Sequence, residues 1–259
     1  MIPIRVEDVH LAFAGRGAAP LAVLDGIAFA VRAGEFVSLL GPSGCGKSTL
    51  LNIAAGLLAP TAGVVRVGDV AIGPGNRARP PGVGYVFQNP RLLNWMTVAD
   101  NLALVLEAAG KPRDDWDAII DRHLAMVGLD GFRDRYPLEL SGGMQHRVAL
   151  VRALAIEPTV ILMDEPLGAL DAITASRVRR DLIRLWQASG ATVLYVTHNI
   201  GEAVHLSDRV LLLYERPTRV YRDVTIDVER PRDPHDPRLA ALERTITEDF
   251  FENVIRTPA

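Results

Sequence analysis

Short apolar stretches alternate with helical ones along most of the chain. Near-continuous apolar runs such as Phe36–Leu40 and Val160–Met163 are typical of strands that are buried on both faces. The pattern predicts strands at Ile4–Phe13, Gly26–Val31, Phe36–Leu40, Val64–Val70, Val83–Phe87, Val160–Met163, Thr192–Val196 and Arg209–Tyr214. We therefore expect an α/β core.

Residues 96–156 differ from this pattern, because their apolar positions recur at helical spacing and they contain no convincing strand. Pro158 marks the return to strand-rich sequence. We predict a discontinuous α/β core at 1–88 and 158–215, interrupted by a helical subdomain at 89–157.

The last segment, 216–259, contains several prolines that break the chain before a final amphipathic stretch, Leu239–Ile255. We predict that this segment is a tail packed on the core.

Length and composition limit the class of protein. The chain has 259 residues, 49% of them hydrophobic and 23% charged, which excludes a disulfide miniprotein, a collagen and a disordered chain. No apolar run approaches the roughly 18 residues of a membrane-spanning helix, and Met1–Asp8 lacks the features of a signal peptide, so we expect a cytosolic location. The net charge of -3 gives no electrostatic reason to expect nucleic acid as a partner. Cys45 is the one cysteine and cannot form an internal disulfide.

Gly41–Ser48 fits the phosphate-loop pattern G-x-x-x-x-G-K-[ST] and lies between the strand Phe36–Leu40 and a predicted helix, Lys47–Ala55. Its glycines allow backbone N–H groups to surround a phosphate chain, Lys47 supplies a positive charge and Ser48 supplies a hydroxyl for Mg²⁺. The alternative is a glycine-rich turn before a helix. The residues expected to bind the nucleotide are Gly41, Pro42, Ser43, Gly44, Cys45, Gly46, Lys47, Ser48 and Thr49.

Cys45 lies inside this loop, next to a helix N-terminus that would lower the pKa of its thiol and make it reactive. The simpler alternative is a small residue that fills a tight loop.

The strand Val160–Met163 is followed by two carboxylates, Asp164 and Glu165. Strand ends of such a fold lie beside the phosphate loop, where Asp164 can hold Mg²⁺ and Glu165 can take a proton from an attacking water. Taken alone, an apolar run that ends in Asp-Glu is more often a strand end that meets solvent.

Ser141, Gly142 and Gly143 open a predicted helix. Ser141 suits an ordinary N-cap, but two consecutive glycines weaken a helix by about 1 kcal/mol each. They favour a place where a second anion approaches the backbone. One nucleotide needs only one such cradle, and this chain has two.

These motifs, followed by Gly168–Asp171 and Thr197-His198, resemble in order and spacing the ATP-binding cassette proteins of ABC transporters, over roughly residues 4–215. The resemblance implies a P-loop NTPase core of the ABC ATPase type, with an inserted helical subdomain and an N-terminal antiparallel β region. It also implies ATP hydrolysis with Mg²⁺. Two copies would pack head to tail, and each ATP would lie between one chain's phosphate loop and the other's Ser141, Gly142 and Gly143.

The resemblance assigns roles to four more residues. Gln88 is similar to the family's glutamine that meets Mg²⁺ and the attacking water, and His198 to the histidine that contacts the γ-phosphate. Asp171 is similar to the aspartate that communicates across the dimer. Phe13 resembles the aromatic residue that stacks on adenine, although it alternates with Val9 and Leu11 and could instead belong to the core.

The stretch from Tyr85 to Asn101 and the motifs named above look like those of the nitrate, sulfonate and taurine importer ATPases. That implies a subunit at the cytoplasmic face of a bacterial inner membrane, with permease subunits as partners and, indirectly, an extracytoplasmic solute-binding protein. Arg91–Met96 would receive the permease; alternatively, Leu92, Leu93 and Trp95 pack inside the insertion.

Two other functions share the phosphate loop. A soluble cassette acting on nucleic acid or in cofactor assembly stays an alternative, which the net charge and the segment around Arg91 disfavour. A small-molecule kinase would have no use for the second anion cradle.

Overall fold

The computed structural model describes residues 1–15, 19–214, 216–233 and 235–252. They belong to two compact units, Met1–Pro81 with Thr192–Ala259, and Gly82–Ala191. The strands in chain order are β1 Ile4–Phe13, β2 Leu21–Val31, β3 Phe36–Leu40, β4 Ala62–Val67, β5 Val70–Ile72, β6 Val83–Val86, β7 Val160–Asp164, β8 Thr192–Thr197, β9 Arg209–Leu213 and β10 Val220–Thr225. The α-helices are α1 Lys47–Ala54, α2 Val98–Ala108, α3 Trp116–Met126, α4 Gly142–Leu154, α5 Ala172–Ser189, α6 Ile200–Leu206 and α7 Pro237–Phe250.

The first unit contains an antiparallel sheet in the order β2-β1-β4-β5. Beside it in the same unit, strands β10, β9, β3 and β8 pair in that order, with β3 parallel to both β8 and β9. Every residue of β3 and of β8 is buried, as their continuous apolar sequence predicts. The N-terminal antiparallel region predicted from the family resemblance is therefore present.

The second unit pairs β6 with β7 in parallel and contains the four helices α2 to α5. Helix α2 begins with a capping box, in which Thr97 accepts a hydrogen bond from the backbone N–H of Asp100 and Asp100 accepts one from that of Thr97. The helical periodicity expected between residues 96 and 156 corresponds to α2, α3 and α4. The subdomain boundaries at 89 and 157 stay a prediction.

The C-terminal segment packs on the first unit through β10 and α7. Leu239, Ile246 and Phe250 of α7 lie in one buried cluster with Val204 of α6 and Leu212 of β9. The predicted amphipathic helix extended to Ile255, which lies outside the described residues; the observed helix ends at Phe250.

Within the described part of the chain, no helix combines the length and the apolar character that crossing a membrane requires.

Candidate functional site

The phosphate loop joins β3 to α1 and closes around the side chain of Lys47. The ammonium group is buried and donates hydrogen bonds to the carbonyl oxygens of Gly41, at 2.8 Å, and Pro42, at 2.7 Å. Gly46 precedes α1 with a φ of 116°, and a Cβ there would lie 2.9 Å from Cγ1 of Val23. Only glycine fits this position, because the backbone is left-handed and the space is already filled.

Cys45 is buried in this loop. Burial raises the pKa of its thiol, and the nearby charge of Lys47 offsets this only in part. The expectation of a lowered thiol pKa at the helix N-terminus is therefore wrong, because desolvation of the thiolate outweighs the positive potential. The side chain fills space in a tight loop.

Two residues of the C-terminal segment make hydrogen bonds to the backbone of the phosphate loop. The guanidinium of Arg216 donates to the carbonyl oxygen of Gly44, and the buried hydroxyl of Thr218 donates to that of Cys45. Sequence reasoning missed both, because their partners lie more than 170 residues earlier in the chain and no local motif marks them.

The pairing of β3 with β8 brings His198 to the same sheet edge as the phosphate loop. Leu40 and Thr197 are partners in the parallel register, so Gly41 and His198 both leave the sheet at this edge. The side chain of His198 is exposed. The first unit thus brings together the predicted phosphate loop and the predicted γ-phosphate contact.

Phe13 ends β1 with a side chain that is 44% exposed, whereas Val9 and Leu11 are buried. The alternative that Phe13 is a core residue is therefore wrong. An exposed aromatic ring suits base stacking.

In the second unit, the register of β6 and β7 brings Gln88 to the same edge as Asp164 and Glu165. Val86 and Met163 are the last paired residues, so the three polar side chains follow directly on neighbouring strands. The charge of Asp164 also acts on Tyr85 of β6: burial first, and then this negative charge, raise the pKa of the tyrosine.

Glu165 has a φ of 44°, in the left-handed region that a non-glycine residue occupies at a cost. Its carbonyl oxygen accepts a hydrogen bond from the N–H of Gly168 at 3.1 Å, which closes a tight turn after β7. Such backbone strain in residues other than glycine concentrates at functional sites.

Ser141 caps helix α4, and its hydroxyl accepts a hydrogen bond from the N–H of Met144 at 3.3 Å. Gly142 is exposed, with no atom near the position of a Cβ. Gly143 is buried, and a Cβ there would lie 2.3 Å from Cγ2 of Thr174. Packing against α5 therefore requires glycine at position 143, whereas the space beside Gly142 is open. The role of Ser141, Gly142 and Gly143 as an anion cradle stays a prediction.

Helix α4 is also tied to the loop after β6. His146 is buried, with one ring nitrogen 2.8 Å from the carbonyl oxygen of Gly142 and the other 3.2 Å from that of Gln88. Arg152 donates to the carbonyl oxygens of Pro90 and Arg91. These contacts join helix α4 to the loop that contains Gln88. No local motif in the sequence predicts them.

The backbone of the segment Arg91–Met96 is hydrogen-bonded to Asn101, and part of the segment is exposed to solvent. The buried amide of Asn101 exchanges hydrogen bonds with the backbone of Leu93 and donates to the carbonyl oxygen of Met96. Trp95 is 74% exposed, and Leu92 and Leu93 are half-buried. The alternative that Trp95 packs inside the helical segment is wrong.

Asp171 is exposed and caps helix α5, where it accepts hydrogen bonds from the N–H groups of Ile173 and Thr174. Hydrogen bonds from the side chain and backbone of Thr174 hold the pKa of this carboxyl below its usual value. Capping of α5 is thus the local structural role of Asp171, and the residue stays exposed to solvent.

Each unit, taken by itself, carries polar groups of a kind that can bind Mg²⁺ or a phosphate. Mg²⁺ usually takes one or two carboxylates, with substrate phosphates and water as its other ligands. The first unit contains the hydroxyl of Ser48, and the second contains the amide of Gln88 and the carboxylate of Asp164. Among the described residues, no group of three or more His, Cys, Asp or Glu side chains could hold a metal ion.

Comparisons with known proteins agree on one family. A family model described as "ABC transporter" matches residues 24–168. The chain is 45% identical over 258 residues to an uncharacterized ABC transporter ATP-binding protein of Methanocaldococcus jannaschii, covering 99% of this chain and 94% of that protein. It is 37% identical over 253 residues to a taurine import ATP-binding protein of a Jannaschia species, covering 95% and 93%.

A solved structure gives the same result for the fold. It is a dimeric ATP-binding cassette in a post-hydrolysis state bound to ADP and Pi, and it superposes with a TM-score of 0.76 at 30% sequence identity. The match covers 87% of this chain and 100% of that one.

Proposed function

We propose a function from one premise: this chain belongs to the ABC transporter family of ATP-binding proteins. The family resemblance, the ABC ATPase fold and the ATPase class predicted from the sequence are confirmed. Our proposal is that the chain is the ATP-hydrolysing subunit of an importer, that it works as a head-to-tail homodimer, and that it drives uptake of a small solute of the nitrate, sulfonate and taurine class.

The observation that carries the dimer is the presence of two separate anion cradles in one chain. The phosphate loop surrounds Lys47, and Ser141, Gly142 and Gly143 open helix α4, with free space beside the exposed residue Gly142. One ATP uses one phosphate loop, so the second cradle suits the ATP of another copy. The dimeric cassette with ADP and Pi supports this arrangement.

The site residues divide the chemistry between binding and hydrolysis. The phosphate loop, Gly41 to Thr49, binds the phosphates of ATP, and Phe13 stacks on its base. Ser48, Asp164 and Gln88 would hold Mg²⁺, which supplies charge neutralisation for phosphoryl transfer when bound. Glu165 accepts a proton from the attacking water, His198 contacts the γ-phosphate, and Asp171 communicates with the second copy.

The permease is the expected membrane partner, and Arg91–Met96 is its docking segment. Trp95 is the exposed large hydrophobic residue of this segment, and Asn101 makes hydrogen bonds to the segment's backbone at Leu93. Tryptophan is enriched among the residues that contribute most to protein interfaces. The name of the taurine import relative supports an importer. The subunit would then lie at the cytoplasmic face of the membrane, bound to the permease. The solute would arrive through an extracytoplasmic binding protein.

The experiment is recovery of the tagged protein from its host membranes in mild detergent, with identification of its partners. Wild type should retain a polytopic permease, and Trp95→Glu should lose at least about tenfold of it because a charge enters the interface. Leu57→Glu places the same charge on another exposed apolar residue and should retain the permease.

Equal recovery of the permease with all three proteins would show that Trp95 is not at the docking surface. Recovery only from the soluble fraction, together with nucleic acid or assembly factors, would keep the ATPase activity and overturn the importer.

A further inference from the structure

A closed set of hydrogen bonds surrounds the backbone of His198 in the first unit. The carboxylate of Glu202, in α6, is buried and accepts hydrogen bonds from the hydroxyls of Tyr195 and Thr197, each at 3.0 Å. The Thr197 hydroxyl in turn accepts a hydrogen bond from the backbone N–H of Asn199, with 3.0 Å between nitrogen and oxygen. The Asn199 side chain accepts the N–H of Glu202 at 2.9 Å, which completes the ring.

The position of this ring matters because His198 lies between two of its members. Thr197 ends β8 and Asn199 caps α6, so both neighbours of His198 are fixed while its own side chain stays exposed. Buried polar groups are costly unless they are hydrogen-bonded, and a carboxylate with two hydroxyl donors is a strong, charge-assisted case. Linked hydrogen bonds of this kind also reinforce each other.

We propose that Glu202 is a positioning residue for hydrolysis: its carboxylate holds Thr197 and Asn199 so that His198 points from the sheet edge toward the γ-phosphate. The proposal rests on the role of His198 in the proposed function. Glu202 closes the ring. Its carboxylate accepts hydrogen bonds from Tyr195 and Thr197 of β8, and its backbone N–H donates to the side chain of Asn199, the N-cap of α6.

The test compares turnover with ATP binding in purified protein. Glu202→Leu keeps the approximate size of the side chain but leaves the buried hydroxyls of Tyr195 and Thr197 without their acceptor. We expect kcat to fall about tenfold, because small misplacement of a group at the reacting centre is costly. The KM for ATP should change little, because the phosphate loop is untouched.

Two conservative variants separate positioning from simple destabilisation. Glu202→Gln keeps a carbonyl oxygen that can accept from both hydroxyls and should restore most of the turnover. Val204→Ala destabilises α6 in another way, by removing buried volume, and it does not touch the ring. It should lower the melting temperature and keep kcat.

A double-mutant cycle with His198→Ala gives the decisive readout. If Glu202 acts through His198, Glu202→Leu should reduce kcat no further once His198 is removed. Additive losses would overturn the proposal, as would an unchanged kcat in Glu202→Leu. If His198→Ala alone leaves kcat unchanged, the role of His198 in the proposed function is wrong, which is a distinct result.

A second pair of variants covers the case in which Glu202→Leu does not fold. Thr197→Val removes the hydroxyl that links Asn199 to Glu202, whereas Thr197→Ser keeps it. Turnover should fall in the valine variant and survive in the serine variant. Equal turnover in the two would contradict the proposal.

Discussion

At the scale of single residues, Glu165 combines an unusual backbone conformation with a place beside the other polar residues of the second unit. It follows the buried strand β7, adopts a left-handed φ of 44° and lies at the same edge as Gln88 and Asp164. A glutamate in a strained conformation at this edge suits a carboxylate that must be aimed in one direction.

We expect Glu165→Gln to bind ATP with unchanged affinity and to lose about 100-fold or more in turnover, because an amide cannot accept a proton from water. The measurement is steady-state phosphate release beside equilibrium binding of ATP. Glu157→Gln is a matched control, since Glu157 is another glutamate of the same unit with a left-handed φ, 55°, and it pairs instead with Lys111 and Arg122.

Retained turnover in Glu165→Gln would remove this residue from the role of general base. A similar loss in Glu157→Gln would attribute the effect to the left-handed turn rather than to proton transfer.

At the scale of elements, the start of helix α4 shows how packing and function can use neighbouring glycines differently. Gly143 faces Thr174 at the start of α5, while Gly142 faces open space. Thr174 is β-branched and stiff at χ1, so it cannot easily rotate away from an added methyl group.

We expect Gly143→Ala to destabilise the protein by about 1–3 kcal/mol through overpacking against Thr174. Gly142→Ala should change stability by no more than about 1 kcal/mol, because nothing lies near its Cβ and alanine favours a helix. The measurement is the free energy of unfolding in denaturant.

The double substitution Gly143→Ala with Thr174→Ser tests the cause, because serine lacks the Cγ2 atom that would lie 2.3 Å away. It should recover most of the lost stability. If it does not, the close approach to Thr174 is not the reason for Gly143.

Elements with strong local signals could be predicted from the sequence, and those held by distant contacts could not. The buried strands β3, β7 and β8 have continuous apolar sequences, and the phosphate loop has a local motif. Strand β10 mixes apolar and polar residues and none of them is fully buried, so the hydrophobic pattern does not predict it clearly. Thr218, His146 and Glu202 act on backbone or side chains brought close only by the fold, and each alone is an ordinary polar residue.

At the scale of the whole molecule, the chemistry is distributed between the two compact units. The phosphate loop and His198 belong to the first, and Gln88, Glu165 and the Ser141 cradle belong to the second. The cradle at Ser141 could in principle serve the ATP of its own chain or that of another copy. A head-to-tail dimer requires the second arrangement, and the two differ in what a single copy can do.

We expect Ser141→Arg, made together with Glu165→Gln, to bind ATP as a monomer with the affinity of Glu165→Gln alone, but to lose ATP-dependent dimerisation. ATP affinity should be unchanged because the phosphate loop is intact. Dimerisation should be lost because a bulky side chain fills the cradle that would receive the partner's ATP. Equilibrium dialysis at protein concentrations below dimerisation measures binding, and sedimentation velocity with ATP measures the dimer. Gln187→Arg adds the same charge at an exposed position of α5 and should dimerise normally.

A fall in monomer affinity for ATP would instead place Ser141 at the nucleotide of its own chain, since a residue contributed only by the partner cannot influence binding to a single copy. Loss of the N-cap costs about 1 kcal/mol, so the melting temperature of Ser141→Arg must be measured as well. Because the capping effect acts on folding and the cradle acts on association, only a variant that stays folded, binds ATP and no longer dimerises fits the head-to-tail arrangement.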